Sequence, residues 1–275
     1  MKAPSPPALL AFDLAWCVLL TLVVGPPLAG VVWLAGVVGT WIPWWLNAML
    51  VPAYAIAVLL GMTVTARAIR LFIPRLEPGT YKFPKHRIAR AWILHFALQR
   101  VMYLPLWRPI FFSVAFLRTA MLRALGARVP MAINTGSDPQ LLDPSLVTIG
   151  RDAIVGAAVM TTCHWIIAGR LRLAEVRVGV GAQLHEAVKL APGTTVGDGA
   201  MVGAETQVGP DCTIGTRARV GPGCRLLGDV TVGDGARLEA FVTCERGVRI
   251  GKKAIIAPGT HLARGHSVAD GERYP

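Results

Sequence analysis

"TVGDGAMVGAETQVGPDCTIG", residues 195–215, carries an aliphatic residue at every sixth position: Val196, Val202, Val208 and Ile214. The same frame starts at Val178 and runs through Leu184, Leu190, Val220, Leu226, Val232, Leu238, Cys244, Ile250, Ile256 and Leu262 to Val268, and of its sixteen positions only Cys244 is not aliphatic. Two places earlier stands a parallel series of small or β-branched residues, Val176, Ala182, Val188 and Thr194 onward to Thr260. A period of six fits neither an α-helix nor an isolated strand; it is the mark of a parallel β-helix in which each hexapeptide supplies one short strand and a turn. The glycines that follow many of the aliphatic residues let the chain round a corner where a Cβ would be crowded.

Upstream, a shorter frame runs Ile149, Val155, Thr161, Ile167 and Leu173, yet the later one begins at Val178 instead of position 179. The register slips by one across "TTCHWIIAGRLRL", residues 161–173. A slip in a solenoid implies an extruded loop, and loops held by a rigid scaffold are where sites are placed. His164 stands at its start.

Charge divides the rest of the chain. Residues 1–64 carry only Lys2 and Asp13, residues 65–135 carry twelve Lys/Arg against the single acid Glu77, and residues 136–275 carry fifteen bases against fourteen acids. Two apolar stretches, 8–39 and 44–62, are each long enough for a transmembrane helix, which needs about 20 residues. Trp41, Trp44 and Trp45 around the link "TWIP" suit an interfacial belt, and Arg67, Arg70 and Arg75 after the second stretch place the C-terminal bulk in the cytosol by the positive-inside rule. The expectation is a transmembrane hairpin over 1–64 with both termini cytoplasmic in a multi-pass inner-membrane protein. Pro26 and Pro27 either kink one long helix or divide it. Lys2 before an apolar run also suits a secretory signal. Residues 65–135 read as a basic connector with interfacial amphipathic helices, their bases toward lipid headgroups and Trp92, Trp107, Phe111 and Phe112 toward the acyl boundary. Burial of these helices under the next domain is the alternative. Nucleic acid is not an expected partner, since no RNA- or DNA-binding motif accompanies the basic segment, whereas membrane lipids are.

The repeat over about 145–270, with "VKLAPGTTVGDGAMVGAET" at 188–206, resembles the hexapeptide-repeat acyltransferases. That resemblance implies a left-handed parallel β-helix over 136–275, a homotrimer, acyl-CoA (acetyl-CoA above all) as co-substrate, and a catalytic histidine in a "T-x-x-H" setting, which "TTCH" matches at His164. It also implies a pantetheine groove between neighbouring β-helices, lined here by Ala191, Pro192 and Gly193; Lys252, Lys253, Arg246 and Arg249 are candidates to receive the 3′-phosphate, or are a solvated basic edge. A weaker likeness, carried by the hairpin, the connector and "LRALGARV" (122–129) leading into "VTIGRDAIVG" (147–156), is to the membrane-embedded terminal domains of nonribosomal peptide synthetases such as polylysine synthetase.

An imidazole exchanges its proton near neutrality and can serve as general base toward an attacking hydroxyl or amine. His164 is the first candidate and His185, in "GAQLHEAVKL", the second; Glu175 and Glu186 are candidates to orient the ring, or are solvated turn residues. Cys163 beside His164 is badly placed to be a nucleophile, because neighbours on a strand point to opposite faces. "HLARGH", with His261 and His266, resembles the closer pair of β-helical zinc enzymes but lacks a third histidine at the required distance, so no metal is expected. Three functional readings remain open: an acyltransferase acting on a membrane-held acceptor such as a lipid-linked sugar or polymer precursor, a membrane partner acting on a peptide or amino-acid product, and a non-catalytic scaffold.

Overall fold

The computed structural model describes residues 6–131 and 133–275; Lys2 lies outside them. Helix α1, Pro6–Gly39, is one continuous helix with Pro26 and Pro27 inside it, followed by the short α2, Trp44–Met49, and by α3, Val51–Leu71, which packs along α1. Two prolines survive in α1 because α3 compensates for one of the hydrogen bonds they delete. Pro27 cannot donate to the Val23 carbonyl, and the Thr65 hydroxyl from α3 donates to that oxygen at 2.8 Å. Gly61 permits the approach, since a Cβ there would stand 2.6 Å from Pro27 Cβ. Asn47 donates to the Ala35 carbonyl and Tyr54 donates to Asn47, closing the turn. Both α1 over 12–39 and α3 are long and apolar enough to cross a membrane, and most of their surface faces outward.

The connector is less peripheral than an interfacial reading predicts. It forms β1 (Gly79–Lys82), α4 (Arg87–Arg100), α5 (Arg108–Ser113) and α6 (Ala115–Ala124). α4 buries Ile88, Ala91, Trp92, His95, Leu98 and Gln99, and α6 packs on α3. Trp92 and Phe111, expected at an acyl boundary, are buried in the core, because the Trp92 N–H has a partner inside the protein and Phe111 is fully enclosed. Trp107 and Phe112 are half-buried against the same core.

A parallel β-helix follows, as the period of six requires. Its first coil is β2 (Asn134–Thr135), β3 (Gln140–Leu141) and β4 (Val147–Ile149); its second is β5 (Ile154–Val155), β6 (Met160–Thr161) and β9 (Val176–Val178). Sixteen further strands of two residues each, from Gln183–Leu184 to Arg273–Tyr274, complete three parallel sheets of eight, seven and seven strands. Equivalent residues recur every eighteen, so Leu184 lies over Val202 and Val202 over Val220. The aliphatic frame and the small-residue series both point inward and are buried, save Thr260 near the C-terminal end, which is half-buried.

Between β6 and β9 the chain leaves the coil as the hairpin β7 (His164–Ile167) and β8 (Arg170–Leu173), and β1 adds to it to give a three-stranded antiparallel sheet. The slip of one is thus an eleven-residue insertion: Met160 pairs with Lys189, twenty-nine positions on, where later coils take eighteen. Ile167 and Leu173 do not continue the inward frame. They belong to the hairpin, and Ile167 is exposed.

Cys212, Cys224 and Cys244 stand on inward positions, where burial pushes the Cys212 thiol up to about 11 and that of Cys244 up to about 12. A thiol whose folded value exceeds its ordinary 9.0 contributes stability that is complete below pH 9 and lost as pH rises toward the folded value, because only the unfolded chain ionises. Thermal unfolding followed by circular dichroism between pH 8 and 10.5 is expected to show stability falling by up to about 1.4 kcal/mol per thiol per pH unit. A Cys212→Ala, Cys244→Val variant should show a flatter decline.

Candidate active site

β7 alternates its side chains across the hairpin. His164 and Ile166 face α4, while Trp165 and Ile167 face the opposite side, over the β-helix corner. His164 Nδ1 lies 2.6 Å from Asp143 Oδ2, and the rings of Trp92 and Phe96 flank the imidazole at 4.7 and 5.8 Å. Asp143 is buried, with a left-handed backbone (φ 54°) that an aspartate tolerates better than most residues. A buried carboxylate must be satisfied, and this one is: Trp92 Nε1 donates to Oδ1 at 2.8 Å, and the Cys163 N–H donates to Oδ2 at 3.2 Å. Gln99 Oε1 in turn accepts from the Asp143 N–H.

The carboxylate fixes the tautomer. With Nδ1–H donating to Asp143, the lone pair is on Nε2, which has no hydrogen-bond partner among the described residues; the side chain keeps 19% of its surface exposed. The arrangement is that of an oriented general base. Asp143 is the residue that sequence reasoning missed. Glu175, a candidate for its role, instead accepts from Arg177 Nε at 2.9 Å and lies 3.7 Å from Arg128, and Glu186 is exposed. Cys163 points into the core, and burial together with the Asp143 charge holds its thiol well above the ordinary value, so it is not a nucleophile at neutral pH.

His185 stands elsewhere, in a hollow of about 400 Å³ with Met201, Arg219, Arg237 and Glu239. Among the described residues its Nε2 is buried without a partner, and no carboxylate bonds to the ring. Ala191, Pro192 and Gly193 form one edge of the triangular prism and Lys252 and Lys253 another, so a single chain does not bring them together. Pro192 is buried and Gly193 packs on Asp211. Further along the edge of residues 191–193, under the hairpin, a groove of about 490 Å³ is lined by Trp165, Ile167, Arg172, Leu227 and Arg246. Arg246 is therefore placed toward a groove, whereas the Lys252 N–H is taken by Asp270 and its ammonium lies 4.0 Å from Asp234. His261 contacts Glu245, and among the described residues no three His, Cys, Asp or Glu side chains converge to hold a metal ion.

The described chain is thus a parallel β-helix of hexapeptide coils that carries a histidine on an extruded hairpin. Residues 193–228 and 211–246 match the family described as bacterial transferase hexapeptide (six repeats). A delta-poly-L-ornithine synthetase of Acinetobacter baumannii (strain AB307-0294) is 24% identical over 158 residues, which is 55% of this chain and 11% of that protein. The chain thus spans a small fraction of the curated relative it matches. Among solved structures, a UDP-N-acetylglucosamine acyltransferase of Francisella novicida is similar at 22% identity, with 50% of this chain and 59% of that chain covered and a TM-score of 0.38. Serine acetyltransferase 1 of Entamoeba histolytica is similar at 13% identity, with 74% and 72% covered and a TM-score of 0.19.

His164→Ala is expected to lower turnover by about 10² to 10⁴ while folding survives. Asp143→Asn should lower it comparably, since an amide that donates to Nδ1 leaves Nε2 protonated and unable to act as base. Cys163→Ala should retain most activity; steady-state rates with melting curves for each variant check all three.

Proposed function

We propose that the chain is a membrane-anchored acyltransferase that moves an acyl group from acyl-CoA to a hydroxyl or amine of a membrane-held acceptor, such as a lipid-linked sugar or polymer precursor. The observation that carries this reading is the 2.6 Å contact of His164 with buried Asp143 on a hexapeptide β-helix. His164 Nε2 takes the proton from the acceptor as its oxygen or nitrogen attacks the acyl carbon. The bond from carbon to sulfur then breaks, and the departing thiolate receives that proton. The thioester supplies an acyl carbon already activated toward such attack. Asp143 holds the ring and stabilises the imidazolium formed between the two steps.

The donor site is the groove under the hairpin. Its apolar wall of Trp165, Ile167 and Leu227 suits a pantetheine arm, and Arg170, Arg172 and Arg246 suit its phosphates. That groove and His164 lie on opposite faces of one hairpin, which favours a homotrimer in which the groove of one protomer serves the base of its neighbour. The anchor is the α1–α3 pair, with Trp41 and Trp44 exposed at its turn and the basic segment and β-helix on the cytoplasmic side. The likeness to the poly-ornithine synthetase favours one other reading, in which the acyl group is an amino acid or peptide held as a thioester and the acceptor is an amine.

Purified protein in detergent should release free thiol from acetyl-CoA only when an acceptor lipid is present, and mass spectrometry should find the added mass on that lipid. Mass added to an amino acid or peptide would favour the second reading, and no thioester turnover with any donor would leave a scaffold. His164→Ala and Arg246→Glu chains, each inactive alone, are expected to regain turnover when co-assembled. An active monomer by light scattering would refute the shared groove. Reporter fusions should place both termini in the cytosol.

A further inference from the structure

Where α3 ends, five arginines gather. Arg67, Arg70, Arg75 and Arg128, with Ser145 and His95, line a cavity of about 330 Å³, and a contiguous hollow shares Arg67, Arg70 and Gly126 with it and adds Arg123. Like charges so close repel one another unless an anion lies among them. Among the described residues, no carboxylate lies within 4.0 Å of Arg67, Arg70, Arg75 or Arg123; Arg128 alone has one, Glu175 at 3.7 Å. The cluster is also built rather than merely exposed. Arg70 Nε is buried without a hydrogen-bond partner, and its guanidinium packs so tightly on Gly126 that a Cβ there would lie 2.3 Å from Nη2. Gly126 has φ +103°, a conformation that side chains rarely adopt, so the backbone is shaped to admit this guanidinium.

Two neighbours decide what the anion is attached to. On the outer side, Leu71 lines the cavity and Val64 the adjoining hollow, both strongly exposed, and Phe72 beside Leu71 is 89% exposed. An apolar rim at the end of a helix long enough to span a bilayer suits an acyl or prenyl chain and not a free ion. On the inner side, the wall is α4 and the segment 143–145. His95 shares one face of α4 with Trp92 and Gln99, both bonded to Asp143, and Ser145 is two residues from it. The cavity and the His164–Asp143 pair thus share a wall.

We infer that this cavity binds the phosphate or diphosphate of a lipid, holding its polar head beside the histidine. That the lipid is the acyl acceptor rests on the acyltransfer reading given above; the binding site does not. The arginine forks match phosphate oxygens two at a time, which a lysine cluster does not achieve.

The test is calorimetric titration of the full chain in neutral detergent with inorganic diphosphate, and separately with phosphatidic acid in mixed micelles. Both are expected to bind saturably at one site per chain, each displacing the other. Arg70→Gln should weaken both by roughly tenfold or more, the scale of one lost charge-assisted pair. Gly126→Ala should do so with every charge retained, and Arg90→Gln, exposed on the outer face of α4, should change neither. Melting curves exclude global unfolding, and Arg70→Lys, which keeps the charge but not the fork, should fall between. Loss in Arg90→Gln equal to that in Arg70→Gln would mean diffuse attraction to anionic surfaces and overturn the site. Diphosphate binding without lipid binding would overturn the lipid assignment. Should the unaltered chain bind both ligands and yet turn over no thioester donor, the acyltransfer reading fails while the phosphate site stands.

Discussion

Asp143 is a buried carboxylate whose hydrogen bonds join three separate parts of the chain. Trp92 belongs to the helical connector, Cys163 and His164 open the extruded hairpin, and Asp143 itself sits in the first coil of the β-helix. A charge removed from water at this depth costs several kcal/mol unless it is fully compensated. The three parts are consequently held in one arrangement, and the imidazole is fixed by the same contacts that fix the architecture.

The solenoid explains why that joint lies at its N-terminal end. Each coil buries its strand edges against the next, and the first coil has none before it. Here α4 and α6 occupy that place, burying Trp92, Leu98, Leu117 and Leu122. Of these, α4 also carries Trp92 and Gln99, which bind Asp143, and α6 carries Arg123 of the arginine cluster, whose Arg67 and Arg70 come from α3. Cap and site are made from the same residues.

Much of this was legible in the sequence. The period of six names nearly every inward residue, and the slip before Val178 marks the hairpin with His164 at its mouth. Ile167 and Leu173 were drawn into the frame because alternation within a hairpin can coincide with a period of six over two repeats. Asp143 was hidden because the first coil is long: Gln140 pairs with Met160, twenty residues on, so counting by eighteen from the hairpin does not reach it. The apolar residues of α4 and α5 were assigned to lipid because composition reports that a face is apolar without reporting what covers it. Membership of an edge follows from residue number modulo eighteen, which separates Lys253 from Gly193 by arithmetic alone.

Pro26 and Pro27 have a consequence for the order in which the chain assembles. They strip the Leu22 and Val23 carbonyls of their helical donors, and the donor that Val23 recovers is a hydroxyl more than forty residues downstream, on Thr65. In hydrocarbon an orphan carbonyl costs several kcal/mol, with no water to relieve it. On the membrane-anchored reading proposed above, the first helix is an incomplete solute until the second arrives, and the pair is suited to leaving water as a unit. A chain interrupted between them would present a polar notch in the middle of its most apolar segment, a mark by which an unfinished protein differs from a finished one.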